Sequence, residues 1–150
     1  MATKRLQKEF AELQGNPQPG VSVGLVDEDL FHWQSVLAGP ETSPYKGGKF
    51  HLDIKFPTDY PFKPPVVCVK FHTKIYHPNI DDDGSICVSL LKNDVWKPAT
   101  RVSQVLMSIS VLLNEPNPDD ALVGSIAEMY TQNHAKFVKT AKDYTKKYAM

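Results

Sequence analysis

Residue types suited to acyl chemistry crowd into one stretch, His77-Pro78-Asn79-Ile80-Asp81-Asp82-Asp83-Gly84-Ser85-Ile86-Cys87. Cys87, one of two cysteines in the chain, follows a polar segment broken by Gly84 and precedes the apolar Val88, Leu90 and Leu91. Three readings compete for it: a buried filler, a metal or redox ligand, and a nucleophile. The polar run from Asp81 to Ser85 places solvent on one side, and access matters because the thiolate is the reacting form. At an ordinary pKa of about 8.5, only roughly 3% of a thiol is ionised at neutral pH, yet cysteine is still the most nucleophilic of the neutral side chains. Asn79 offers a side-chain amide of the kind that stabilises an oxyanion during acyl transfer; as a residue after proline it also suits a turn. His77 is either a base for the thiol or a structural residue, and the structural role is the commoner one.

Other motif-like strings lack an essential residue. Asn79-Ile80-Asp81-Asp82-Asp83-Gly84 resembles the start of a calcium loop, but the twelfth position, which needs a bidentate Glu, is Leu90. Gly15-Asn16-Pro17-Gln18-Pro19-Gly20 has the glycine spacing of a phosphate loop with Val21 where the lysine belongs. The five histidines are scattered, with His51 on a strand face and His134 opening a helix, and no pair has zinc-ligand spacing. No metal and no cofactor is expected. Cys68, within Val66-Val67-Cys68-Val69, reads as a small buried hydrophobe, and a Cys68–Cys87 disulfide stays open at this level.

Lys and Arg total 17 and balance 17 Asp and Glu, so no net field favours nucleic acid or a membrane surface. Lys136, Lys139, Lys142, Lys146 and Lys147 read as a solvated helix face. At 150 residues the expectation is a single domain spanning 1–150. A chain of this size buries roughly 68–70% of its unfolded surface without staples. No apolar run approaches a membrane span, and with no apolar leader and no N-x-[ST] acceptor the expected setting is soluble, cytoplasmic or nuclear.

The positioning elements follow from periodicity. Residues 3–14 carry Leu6, Phe10 and Leu13 on one helical stripe. Strands are expected at 21–25, 31–37, 50–56 and 66–71, with Asp27-Glu28-Asp29 as a turn. The clearest is 50–56, where Phe50, Leu52, Ile54 and Phe56 alternate with His51, Asp53 and Lys55. A buried helix capped by Thr100 carries Val102, Val105, Leu106, Ile109, Leu112 and Leu113. A stiff 115–120 loop, a short helix at 121–130 and a last helix capped by Asn133 follow, the last carrying Phe137, Ala141, Tyr144 and Tyr148. The fold class is α+β: one helix, a four-stranded antiparallel meander, then helices.

Taken in order, His77-Pro78-Asn79, Gly84-Ser85-Ile86-Cys87 and Trp96-Lys97-Pro98-Ala99 resemble the signature of ubiquitin-conjugating enzymes. The resemblance extends to Tyr60-Pro61-Phe62-Lys63-Pro64-Pro65 and Glu115-Pro116-Asn117-Pro118-Asp119-Asp120, and covers essentially the whole chain. It is closest to the small single-domain class with broad ligase partnership. It implies the same α+β fold and a transferase that takes ubiquitin as a thioester from an activating enzyme that spends the ATP. Delivery is then to a substrate lysine or a ligase cysteine.

By this resemblance Cys87 is the acyl acceptor, Asn79 an oxyanion stabiliser or organiser of the active-site loop, and His77 structural. Asn117 and Asp120 line the approach of the attacking lysine. Lys4, Arg5, Phe62, Pro98 and Ala99 make the ligase surface, although Phe62 packed inward is an equal alternative from the residues alone. Ser22 marks a sheet face where some members bind a second ubiquitin. The chain departs from close relatives at Ser89, where they carry Asp, and in a segment before Trp96 that is one residue longer. With Asp120 retained, lysine transfer is expected to survive but weaken.

Rival readings are a non-catalytic ubiquitin-binding variant, which the presence of Cys87 opposes, a cysteine hydrolase, and conjugation of a related modifier.

Overall fold

The computed structural model describes residues 2–69 and 73–150, with Cys68 and Val69 described by backbone alone. Helix α1 (Ala2–Gly15) buries Ala2, Leu6, Glu9 and Leu13. Strands β1 (Val21–Val26), β2 (Asp29–Ala38), β3 (Lys49–Lys55) and β4 (Val66–Val69) form one antiparallel sheet in sequence order, so the expected meander is the observed one. The expected extension of the fourth strand to 71 and the side chain of Cys68 lie outside the described residues.

Register explains which face is packed. Val21, Leu37 and Phe50 align across three strands, as do Leu25, Trp33, Ile54 and Val67 across four. Trp33, Leu37, Phe50, Leu52 and Ile54 are all buried, while Ser22, Val36 and His51 align on the outer face. The turn between β1 and β2 is tighter than the sequence suggests. Asp27 and Glu28 both take positive φ, 52° and 60°, as a two-residue hairpin turn requires. Asp29 instead opens β2, and its Oδ1 accepts the Phe31 N–H at 2.9 Å.

Helix α2 (Val102–Asn114) packs Val102, Val105, Leu106, Ile109 and Leu113 into the core. Its opposite flank leaves Met107 and Val111 more than half exposed, at 56% and 53%, so the helix is buried on one side only. Thr100 is not its cap. Arg101 takes that position, with its own N–H held by Gln104 Oε1 at 2.8 Å. The Val102 N–H donates to the buried carboxylate of Glu9 on α1 at 2.8 Å. A carboxylate at a helix N-terminus satisfies an orphan donor and meets the positive end of the dipole.

A 3-10 turn (Pro118–Asp120) follows, then α3 (Gly124–Gln132) and α4 (His134–Tyr144). Helix α3 begins later than the expected 121 because the Leu122 and Val123 N–H groups both donate to Pro78 O, at 2.9 and 3.1 Å. The side chain of Asn133 accepts the Lys136 N–H at the start of α4, as expected. The last helix stops at Tyr144 and passes into a π turn (Thr145–Ala149), so Tyr148 meets Tyr144 from outside the helix, with ring centroids 5.4 Å apart and the rings tilted by 60°. Among the described residues, no helix is long and apolar enough to cross a membrane.

Candidate active site

The site is built around residues 77–80. His77 is fully buried between two hydrogen bonds: Nε2 lies 2.8 Å from Leu112 O on α2, and Nδ1 accepts the Asn79 N–H at 3.0 Å. An acceptor at Nδ1 fixes the neutral tautomer with hydrogen on Nε2, which donates to the carbonyl. Burial lowers the His77 pKa from 6.5 to about 4, the Leu112 carbonyl opposing only in part. At neutral pH it is therefore an uncharged bolt between this segment and α2.

Asn79 is also fully buried, and its amide is committed to the loop that follows α2. Oδ1 accepts the Asn117 N–H at 2.9 Å, while Nδ2 donates to Asn117 O at 2.7 Å and to Asp120 O at 3.1 Å. Both amide hydrogens are used. Pro78 O adds the bonds to Leu122 and Val123, so adjacent residues fasten the entire 117–123 segment.

The chain then turns back. Asp81 Oδ1 accepts the N–H groups of Asp83 and Ser85, at 3.0 and 2.9 Å, which makes the acidic run a side-chain-closed turn. Gly84 has φ of 84°, a conformation that glycine adopts without strain. Isolated bridges pair Ile80 with His77 and with Ile86, and the Cys87 N–H donates to Asn79 O at 3.0 Å. The nucleophile candidate is thus pinned by its backbone to the residue whose side chain holds the opposite wall.

Cys87 is a free, partly exposed thiol. Burial raises its pKa above the ordinary value, a hydrogen bond to the Asp120 carboxylate raises it further, and the nearby Lys92 cation opposes both. At neutral pH the resting sulfur is protonated. Asp120 is held below the usual carboxylate range, chiefly by Lys92 and then by Cys87. Lys92 Nζ lies 2.7 Å from Asp120 Oδ2.

Val88, the next residue, is buried, and a 3-10 turn (Ser89–Leu91) follows with Ser89 exposed. Beside Cys87 lies an open groove of about 530 Å³ whose walls include Leu90, Met107, Val111, Leu112, Asn117 and Asp120. The exposed flank of α2 is one of its walls. Among the described residues, no group of three or more His, Cys, Asp or Glu side chains converges as a metal site.

A second cluster forms away from the sulfur. Trp96 Nε1 donates to Pro61 O at 2.7 Å, Arg5 Nη2 donates to Thr100 O at 3.1 Å, and the Arg5 guanidinium lies over the Tyr60 ring at 5.8 Å. These contacts join the start of α1, the 60–65 loop and the 96–101 loop into one surface. Phe62 projects from it at 60% exposure, and Lys4, Pro98 and Ala99 are exposed around it. Ser22 is exposed on the outer sheet face, in register with Val36 and His51.

Two participants were not assigned from sequence. Glu9 receives Arg5, the Tyr60 hydroxyl and the Val102 N–H; its signal was a carboxylate standing on the apolar stripe between Leu6 and Leu13. Lys92 stood in the 91–95 segment before Trp96 without a role.

The family model described as ubiquitin-conjugating enzyme matches residues 5–145. Among solved structures, the E2 domain of a Toxoplasma gondii ubiquitin-conjugating enzyme is 40% identical and covers 100% of each chain, with a TM-score of 0.90. Nearly the whole chain, from Arg5 in α1 to Thr145 just after α4, conforms to one family pattern, and this protein belongs to the ubiquitin-conjugating enzyme family.

Proposed function

We propose that Cys87 accepts ubiquitin from an activating enzyme and passes it to a substrate lysine or a ligase cysteine. The observation that carries this reading is the Cys87 thiol itself, free and partly exposed, lining the same groove as Asp120. In the loading step Cys87 loses its proton, its sulfur attacks the incoming thioester carbonyl, a new C–S bond forms, and the activating enzyme's thiol leaves. In discharge to lysine, a C–N bond forms and the C–S bond breaks. The ammonium gives up two protons, one ending on the released Cys87 sulfur and one passing to Asp120 or solvent.

A lysine at a pKa near 10.4 is neutral in only about one molecule in a few thousand at pH 7. A carboxylate beside it favours the charged form, whereas desolvation favours the neutral one. Asp120 therefore orients the amine and takes a proton, and closure of the groove by bound partners supplies the desolvation. Asn79 acts by holding Asn117 and Asp120 in place, since its amide hydrogens are engaged there. His77 acts as the neutral anchor of the same segment.

Lys4, Arg5, Phe62, Pro98 and Ala99 form the ligase-facing surface, with Phe62 the aromatic anchor that interfaces favour. Ser22 marks the face for a second, non-covalent ubiquitin. The chain works as one catalytic domain over 1–150 in a reducing compartment, cytoplasm or nucleus, where a thiol nucleophile persists.

The test is incubation with activating enzyme, ATP and ubiquitin. A reducible adduct abolished by Cys87→Ala is expected. Its absence with ubiquitin but presence with a related modifier reassigns the cargo, and its rapid hydrolysis without transfer makes the chain a hydrolase.

A further inference from the structure

The ion pair at the mouth of the groove has an unusual partner. Among the residues lining the groove the carboxylates are Glu115 and Asp120, and Asp120 is the one whose charge acts on the Cys87 sulfur. That carboxylate is already occupied, with Lys92 Nζ at 2.7 Å from Oδ2. Ser89, exposed at the start of the turn before Lys92, brings a hydroxyl and no second negative charge. Asp94 also acts on Lys92, but Asp120 is its principal partner.

We propose that Lys92 is a specificity residue: its ammonium occupies the carboxylate that an incoming lysine would use, and so biases transfer toward thiol acceptors. The proposal rests on the reading of Cys87 and Asp120 given above. Two ammonium groups compete for one carboxylate, and the resident one must swing away before the other can be oriented. A thiol acceptor carries no positive charge, reacts as the thiolate, and makes no such demand on Asp120. The latch is light because both side chains are well exposed, 45% for Lys92 and 37% for Asp120. Exposed pairs of this kind are worth a factor of about two to five in an equilibrium.

The experiment charges wild type, Lys92→Ala, Lys92→Arg and Asp120→Asn with ubiquitin and follows single-turnover discharge onto free lysine and free cysteine. Lys92→Ala should raise the ratio of lysine to cysteine discharge about two- to fivefold, and lower the lysine concentration giving half-maximal rate. Lys92→Arg, which keeps a cation on Asp120, should retain the wild-type ratio. Adding Lys92→Ala to Asp120→Asn should leave that variant's ratio unchanged, since the contested carboxylate is gone.

An unchanged or lower ratio in Lys92→Ala overturns the proposal, as does a rise that persists in the Asp120→Asn background. Non-reducible self-modification lost in Lys92→Arg also overturns it, because Lys92 would then be an acceptor. Failure of wild type to form the reducible adduct at all removes the underlying reading, a result distinct from these.

Discussion

Replacing Asn79 with alanine separates two roles that a single amide could play at an acyl-transfer site. The side chain makes three hydrogen bonds, all to the backbone of Asn117 and Asp120. Each is worth about 0.5–1.5 kcal/mol net, so the expected loss is about 3 kcal/mol. In a domain of this size that corresponds to a fall in Tm of roughly 6–12 °C. The bonds of the Asn79 backbone to His77 and Cys87 survive the change, so the damage should be confined to the 117–123 segment. Urea unfolding of the uncharged protein gives the stability, and discharge of the ubiquitin adduct onto lysine gives the function. Asn79→Asp should be at least as destabilising, because a carboxylate can accept from Asn117 but cannot donate to the two carbonyls. An Asn79→Ala protein within about 0.5 kcal/mol of wild type, yet slowed about 100-fold or more in lysine transfer, would refute this reasoning. That result would identify the amide as an oxyanion donor.

His77 should make stability fall on mild acidification. The unfolded chain protonates this imidazole below pH 6.5, whereas the folded chain resists until about pH 4, so stability drains away as pH falls across that window. The full loss is about 3 kcal/mol; urea midpoints between pH 7 and 4 should show a shallower slope for His77→Gln than for wild type, and equal slopes count against a buried neutral imidazole. Cys87 alkylation by iodoacetamide should have a pH midpoint above that of a free thiol, and Asp120→Asn should move it downward and speed the reaction at pH 8; an unmoved midpoint contradicts the contact with Asp120. Phe62→Ala should leave stability within about 0.5 kcal/mol of wild type, while ligase-stimulated discharge falls and intrinsic discharge stays. Loss of stability would mean that the ring packs inward instead.

What the sequence revealed was set by the range of the forces involved. The alternation of Phe50, Leu52 and Ile54 against His51 and Asp53 is a local consequence of the pleat, and it predicts the packed face directly. The order of helix, strands and helices follows from such patterns. The resemblance added the grouping of Cys87, Asn79, Asn117 and Asp120, whose chain separations no local rule spans.

The features that stayed hidden all arise from contacts between distant segments. Thr100 looked like the better cap by residue type, but Glu9 reaches α2 from a different helix. Phe62 had equal prospects inside and outside until the surrounding loops were in place. Lys92 was visible in the segment before Trp96, but that its ammonium meets Asp120 across 28 residues was not.

The protonated state of Cys87 bears on how long cargo can be carried. A thiol of higher pKa is the poorer leaving group. After loading, the S–H donor is gone, but the partial burial of the sulfur and the negative charge of Asp120 still disfavour expulsion of a thiolate. The same surroundings that keep the empty site slow toward oxidants and alkylating agents would make the loaded site slow to spill its acyl group into water. In kinetic terms the proposed carrier would store reactivity behind a barrier, and the lifetime of the thioester would be set by whichever partner next changes the sulfur's solvation.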